Sequence, residues 1–171
     1  MASLIENLIS TLEEECSLYE QLTVESLAKT SVIVANDLER LSAANVKEQE
    51  IVDKITVVSH RRDQELTEIA TVLGKDAKTI TVSEIIRLME KQPEFRHPLI
   101  AVRDKLLKQV EKLNSVSVHN QELLKEAIDM TEYSINLIQS LNQAPETANY
   151  SGANYSGSTL GSSYSAFDAK Q

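Results

Sequence analysis

Between residues 2 and 73 the chain contains neither Gly nor Pro, and its apolar positions recur at helical intervals. In the first stretch Ile5, Ile9, Leu12, Cys16, Tyr19 and Leu22 fall on one face, the spacing of an amphipathic helix. Ser3 with Glu6 three residues on forms a capping-box pattern, which predicts a start near Ser3. The pair Asn36-Asp37 interrupts the run, and Asn36 with Glu39 is the expected cap of a second helix. From there Leu38, Leu41, Val52, Ile55, Leu66, Ile69 and Leu73 mark a seam of alternating three- and four-residue steps, with Asn45, Glu48, Ser59 and Arg62 at polar positions of the same seam. Such interruptions weaken packing and can set register. Gly74 is expected just past the second helix, where a left-handed residue stops it.

Thr81-Val82-Ser83-Glu84 is a second capping box, placed between a loop and the apolar group Ile85, Ile86, Leu88 and Met89, so it predicts a short helix closed by Gln92-Pro93. A last helix should open between Pro93 and Pro98, since a first turn tolerates proline. Its seam reads Leu99, Val102, Leu106, Leu113, Val116, Leu123, Ala127, Met130, Leu137 and Leu141. Short connections make neighbouring helices antiparallel. The expected fold is therefore all-α: an elongated antiparallel bundle of three long helices plus one short helix over residues 1–142, followed by a disordered tail over 143–171. The last helix is about eight residues longer than the second on this reading, so its end is expected to run ~12 Å past the Asn36 corner. Tyr133, Ile135, Leu137, Ile138 and Leu141 lie there and, with Met130 just before them, are the expected partner-binding surface.

The tail differs in kind. Residues 143–171 hold six Ser, five Ala and three Gly, too little apolar material to offset the entropy of ordering them. Yet Tyr150, Tyr155, Tyr164 and Phe167 are four of the chain's seven aromatic residues, and Asn-Tyr-Ser-Gly occurs at 149 and again at 154. Those four aromatics are the expected tail contacts.

Composition removes several function classes. A net charge of −9 disfavours nucleic acid and anionic membrane surfaces, and His60-Arg61-Arg62 is too short a basic patch to change that; it reads as a solvated helix face. No stretch reaches the ~20 apolar residues of a membrane span. The N-terminus lacks a basic region ahead of an apolar one, so a signal peptide is not expected. Cys16 stands alone on the first stripe and reads as a buried structural thiol. Catalytic patterns are wanting too. Gly74 is the only glycine before residue 150, which leaves no phosphate-binding loop. Glu94-Phe95-Arg96-His97 has the spacing of a di-iron pair but lacks the second pair such a site needs. No enzyme, metal or cofactor is expected.

The ordered pieces resemble the FlgN family of flagellar export chaperones, in its Gram-positive form. They are Met1-Ala2-Ser3-Leu4-Ile5-Glu6-Asn7-Leu8-Ile9, Val34-Ala35-Asn36-Asp37-Leu38-Glu39 with Lys47-Glu48-Gln49-Glu50-Ile51-Val52, the loop Val72-Leu73-Gly74-Lys75 followed by Ile80-Thr81-Val82-Ser83-Glu84-Ile85, and the terminal Phe167-Asp168-Ala169-Lys170-Gln171. The resemblance implies a cytoplasmic chaperone that binds hook-associated proteins, the subunits of the hook–filament junction. It would hold their terminal helices against premature self-association and help deliver them to the type III flagellar export apparatus. It implies no catalytic residue, no ATP and no cofactor, and a monomer or weak dimer. The competing expectation is a structural or regulatory coiled coil whose long helices self-associate.

Overall fold

The computed structural model describes residues 2–76 and 79–143. They form four helices, α1 (Ala2–Val34), α2 (Leu38–Leu73), α3 (Val82–Leu88) and α4 (Pro93–Gln143), and no strand is present among them. The tail and its Tyr150, Tyr155, Tyr164 and Phe167 lie outside the described residues. The chain divides into two compact units, one ending at Ser134 and the other beginning at Ile135. The helix packing below belongs to the first unit.

Helix ends follow local chemistry, with two corrections to the sequence reading. α1 already includes Ala2, so Ser3 lies inside the first turn and does not cap it. At the other end Asn36 adopts a left-handed conformation (φ 53°). The Asp37 amide then donates to the Val32 carbonyl at 3.3 Å and the Asn36 amide to Ile33 at 3.0 Å. Asn36 therefore stops α1, and the cap of α2 passes to Asp37, whose carboxylate accepts from the Arg40 amide at 3.0 Å. Asn is among the few non-glycine residues that enter the left-handed region readily. Gly74 (φ 64°) ends α2 by the same geometry, with Lys75 donating to the Ala70 carbonyl at 2.9 Å. Thr81 caps α3 as expected, accepting from the Glu84 amide at 3.2 Å. Proline opens α4 at Pro93, and Pro98 is accommodated within the helix.

Cross-helix bonds give direction and register. Thr11 donates to Glu65, Arg62 binds Glu15 and Lys29 binds Glu48, so partner numbers fall along α2 as they rise along α1: the pair is antiparallel. Along α4 they rise instead. Cys16 meets the Val102 carbonyl and Asn120 meets Ser26, so α4 runs parallel to α1. The Glu15 carboxylate is buried and takes the Arg62 guanidinium at 2.7 and 2.9 Å and the Ser59 hydroxyl at 3.0 Å. Arg61 pairs with Glu14 at 2.7 Å. The basic patch read as a solvated face is thus in part a structural clamp.

The core is concentrated at one end. Ile5, Leu8, Leu12 and Cys16 of α1 pack with Ile69 and Ala70 of α2, Ile85, Ile86 and Met89 of the α3 segment, and Leu99 and Val102 of α4. Leu18, Leu22, Ile51, Ile55 and Val58 form a second cluster farther along, joined by Tyr19 and Leu113. The α2 seam is displaced from expectation: Leu38 and Val52 are exposed, while Ile51 and Val58 are buried. A helix with two neighbours buries a wider face than a single coiled-coil seam, and a 3.6-residue turn drifts from a strict seven-residue repeat. Toward the Asn36 turn, Ile33 is the one large apolar side chain that is buried among the described residues.

Breaking a buried ion pair costs ~3–5 kcal/mol because one charge is left without its partner. Arg62 retains about a quarter of its side-chain exposure, so the lower figure applies. Arg62→Met should therefore cost about 3 kcal/mol in urea unfolding, whereas Glu15→Leu with Arg62→Met should stay within about 1 kcal/mol of wild type. Equal losses in the single and double variants would mean that the pair contributes only through packing.

Candidate partner-docking site

At the corner where α1 turns into α2, the three long helices leave a groove. Val32 and Ile33 of α1, Leu38 and Leu41 of α2, and Leu124, Ala127 and Ile128 of α4 line a cavity of about 310 Å³. A second hollow of about 510 Å³ lies beside it, bounded by Val34, Leu123, Glu126, Met130 and Ser134, and it shares Ile33 and Ala127 with the first. Local sequence explains the opening. Asn36 in its left-handed conformation turns the chain into α2, whose first residue Leu38 is exposed, and α4 places the small Ala127 in the lining that both hollows share with Ile33.

Just before the groove a polar clamp ties α4 to α1. The buried Asn120 donates through its amide nitrogen to the Ser26 carbonyl at 2.8 Å and accepts at its amide oxygen from the Thr30 hydroxyl at 2.6 Å. Buried polar groups that are satisfied in this way fix a unique arrangement. Sequence reasoning passed over Asn120, although it occupies the seam position between Val116 and Leu123 where a polar residue interrupts the pattern.

The charged residues lining the two hollows are Asp37, Glu126 and Glu132, all acidic. Asp37 is partly offset by Arg40 at 3.3 Å, while Glu126 and Glu132 form no ion pair among the described residues.

A family model described as FlgN protein matches residues 1–155 of the chain. The chain belongs to the FlgN family. FlgN-family proteins are chaperones of flagellar export, so the helical body here is a chaperone scaffold for flagellar assembly. No curated protein and no solved structure matched. No described helix of this FlgN-family chain is long and apolar enough to cross a membrane.

The residues expected on the partner surface are all exposed. Met130 and Tyr133, in the first unit, are 72% and 69% exposed, and Met130 borders the second hollow. In the second unit Ile135, Leu137, Ile138 and Leu141 are likewise exposed along the α4 terminus. The sequence reading places Leu41 on the α2 seam and does not name the other groove residues Ile33, Leu124 and Ile128. Each lies on a different turn or helix, and their convergence depends on the α1–α2 register.

The other chemistry-bearing residues lie elsewhere. Glu94 and His97 are exposed, and no three His, Cys, Asp or Glu side chains gather to hold a metal among the described residues. Cys16 is buried, and its thiol meets the Val102 carbonyl at 3.7 Å. Burial foremost pushes this thiol above its ordinary value of 9.0; Glu15, Glu13 and Glu20 push the same way, against Lys105. Burial and then Glu15 likewise raise Tyr19 above 10.0.

Both groups keep their protons to higher pH in the native state than in the unfolded chain. The unfolded state therefore binds fewer protons above pH 9, and stability falls as pH rises. The urea midpoint should drop between about pH 8 and about pH 10, and Cys16→Val should reduce that drop. The native thiol should react with a thiol reagent only after denaturation. Fast native labelling would contradict the buried assignment.

Proposed function

We propose that this FlgN-family chain is a cytoplasmic chaperone for hook-associated proteins, the subunits of the hook–filament junction. It binds their terminal helices, keeps them from associating early and presents them to components of the flagellar export apparatus. The observation that carries this reading is the set of large apolar side chains that the later part of α4 leaves exposed: Ile128, Met130 and Tyr133 in the first unit, and Ile135, Leu137, Ile138 and Leu141 in the second. Exposed apolar residues of this size support a protein-binding surface. A helix with an apolar stripe would use those of either unit as anchors for residues spaced three and four apart, and in the first unit Met130 adds a side chain that adapts to different partners. The tail aromatics Tyr150, Tyr155, Tyr164 and Phe167 are assigned to the same partner as auxiliary contacts. The chain acts without catalysis or cofactor, does not bind nucleic acid and does not insert in a membrane.

The same exposed residues also favour self-association as a coiled coil. A tight dimer in light scattering would select that reading; a monomer or weak dimer fits the chaperone. The direct test is co-purification with a hook-associated protein followed by calorimetry. Leu137→Asp and Ile138→Asp should each weaken binding by about tenfold or more while circular dichroism stays unchanged, because both side chains are exposed in the free protein. Unchanged affinity in both variants would remove the α4 terminus from the site.

A further inference from the structure

At the α3 end of the first unit the core is closed by four elements. Ile85, Ile86 and Met89 of the α3 segment fill the space that α1, α2 and α4 leave between them. At the Asn36 end no such segment is supplied among the described residues, and the groove lined by Ile33, Leu38, Leu41, Leu124 and Ile128 stands open. The far end thus shows what the near end lacks: one more short helix with an apolar stripe.

Charge decides whose helix that is. The charged lining is Asp37, Glu126 and Glu132. The α4 stretch 122–132 also carries Glu122 and Asp129 against the single base Lys125, which does not line either hollow. A second copy seated here would bring the same acidic stretch, or some other face of a chain of net charge −9, against it. The chain's own residues 144–171 would bring Glu146 and Asp168 with only Lys170. Neither complements the rim. Like charges across an interface disfavour a partner by several kcal/mol, and opposite charges steer the right one into register.

We infer that the groove at the α1–α2 corner takes a short amphipathic helix of another protein, with Lys or Arg flanking its apolar stripe. The apolar side chains enter between Leu38 and Ile128, and the bases face Glu126 and Glu132. Asn120, bonded to both Ser26 and Thr30, holds α4 in place, so the groove exists before the partner arrives. The inference rests on the chaperone reading only for the identity of the partner; the chemistry of the groove stands apart from it.

The test uses two synthetic peptides of about 18 residues that share one Leu/Ala stripe, flanked by Lys in one and by Glu in the other. Titrated into the full chain at low salt, the Lys peptide should bind about tenfold more tightly than the Glu peptide, and the difference should shrink as salt is raised. Glu126→Lys with Glu132→Lys should reverse the order of the two peptides. Ile128→Asp should weaken both, with circular dichroism as the control for folding. A photo-crosslinker at position 128 should capture the Lys peptide. Equal binding of the two peptides, or an order unchanged in the double variant, would overturn the inference. So would crosslinks from position 128 to residues 144–171 or to a second copy in place of the peptide. If a hook-associated protein binds wild type and the double variant alike, the charge-selected groove fails while the chaperone reading stands. If wild type retains no hook-associated protein yet discriminates the peptides as described, the groove stands and the chaperone reading fails.

Discussion

The buried Glu15 carboxylate, held by Arg62 and Ser59, is the interaction on which the placement of everything else depends. Leu, Ile and Val contacts between two long helices are non-directional, and a slip by one turn costs them little as long as apolar faces still meet. A charge taken out of water is different. It has one acceptable partner, and a slipped register would strand it. Thr11 with Glu65 on one side and Lys29 with Glu48 on the other follow the same alignment. Once it is fixed, the three-residue link through Asn36 must fall where it does, and Leu38 and Leu41 must stand opposite Ile33. Glu15 thus acts on a docking groove that it does not touch.

Packing then grades along the first unit. The α3 end has fully buried side chains on all four elements, with Ile5, Leu8, Ile69, Ile85 and Leu99 at essentially zero exposure. Fully burying such a side chain is worth about 1.5–3 kcal/mol, so the stability of the unit is anchored there. At the Asn36 end the hydrogen bonds of Asn120 take over from apolar burial, and beyond them Ile33 is the one large apolar side chain still buried among the described residues. Local opening is cheapest where buried apolar contacts are few. Binding surfaces come from that end of a stability gradient, and here the groove and the exposed α4 residues lie beyond Asn120.

Much of this was legible in the sequence, because the signals were local. Gly74, Thr81 and Pro93 each punctuate the chain by their own backbone chemistry, and the structure uses all three as expected. The buried reading of Cys16 followed from its place on the α1 stripe. What escaped was what depends on competition or on convergence. Asn36 and Asp37 can both cap a helix, and only the left-handed turn decides between them. Ser3 with Glu6 matches a capping box in a Glu-rich chain, yet the helix had already begun. Arg62 stands among the polar seam positions, yet its patch with His60 and Arg61 reads as a solvated face because the partner, Glu15, lies 47 residues away. The groove has no signature in any single segment, since it draws on three helices whose alignment is set elsewhere.

The polar character of the Asn120 clamp bears on how such a groove can work. An apolar side chain at 120 would leave the Ser26 carbonyl to be satisfied within its own helix and let α4 settle against α1 in several rotations, some of which would close the gap beside Ala127. The paired amide permits one rotation, with Leu124 and Ile128 facing Leu38 and Leu41. A preformed groove spares the partner the cost of ordering it, which raises affinity without enlarging the contact. The acidic rim works in the opposite sense: its attraction is screened by salt, and it selects partners and speeds encounter more than it prolongs the complex. A chaperone that must release its cargo needs that combination, with selectivity taken from charge and a modest apolar contact that lets go.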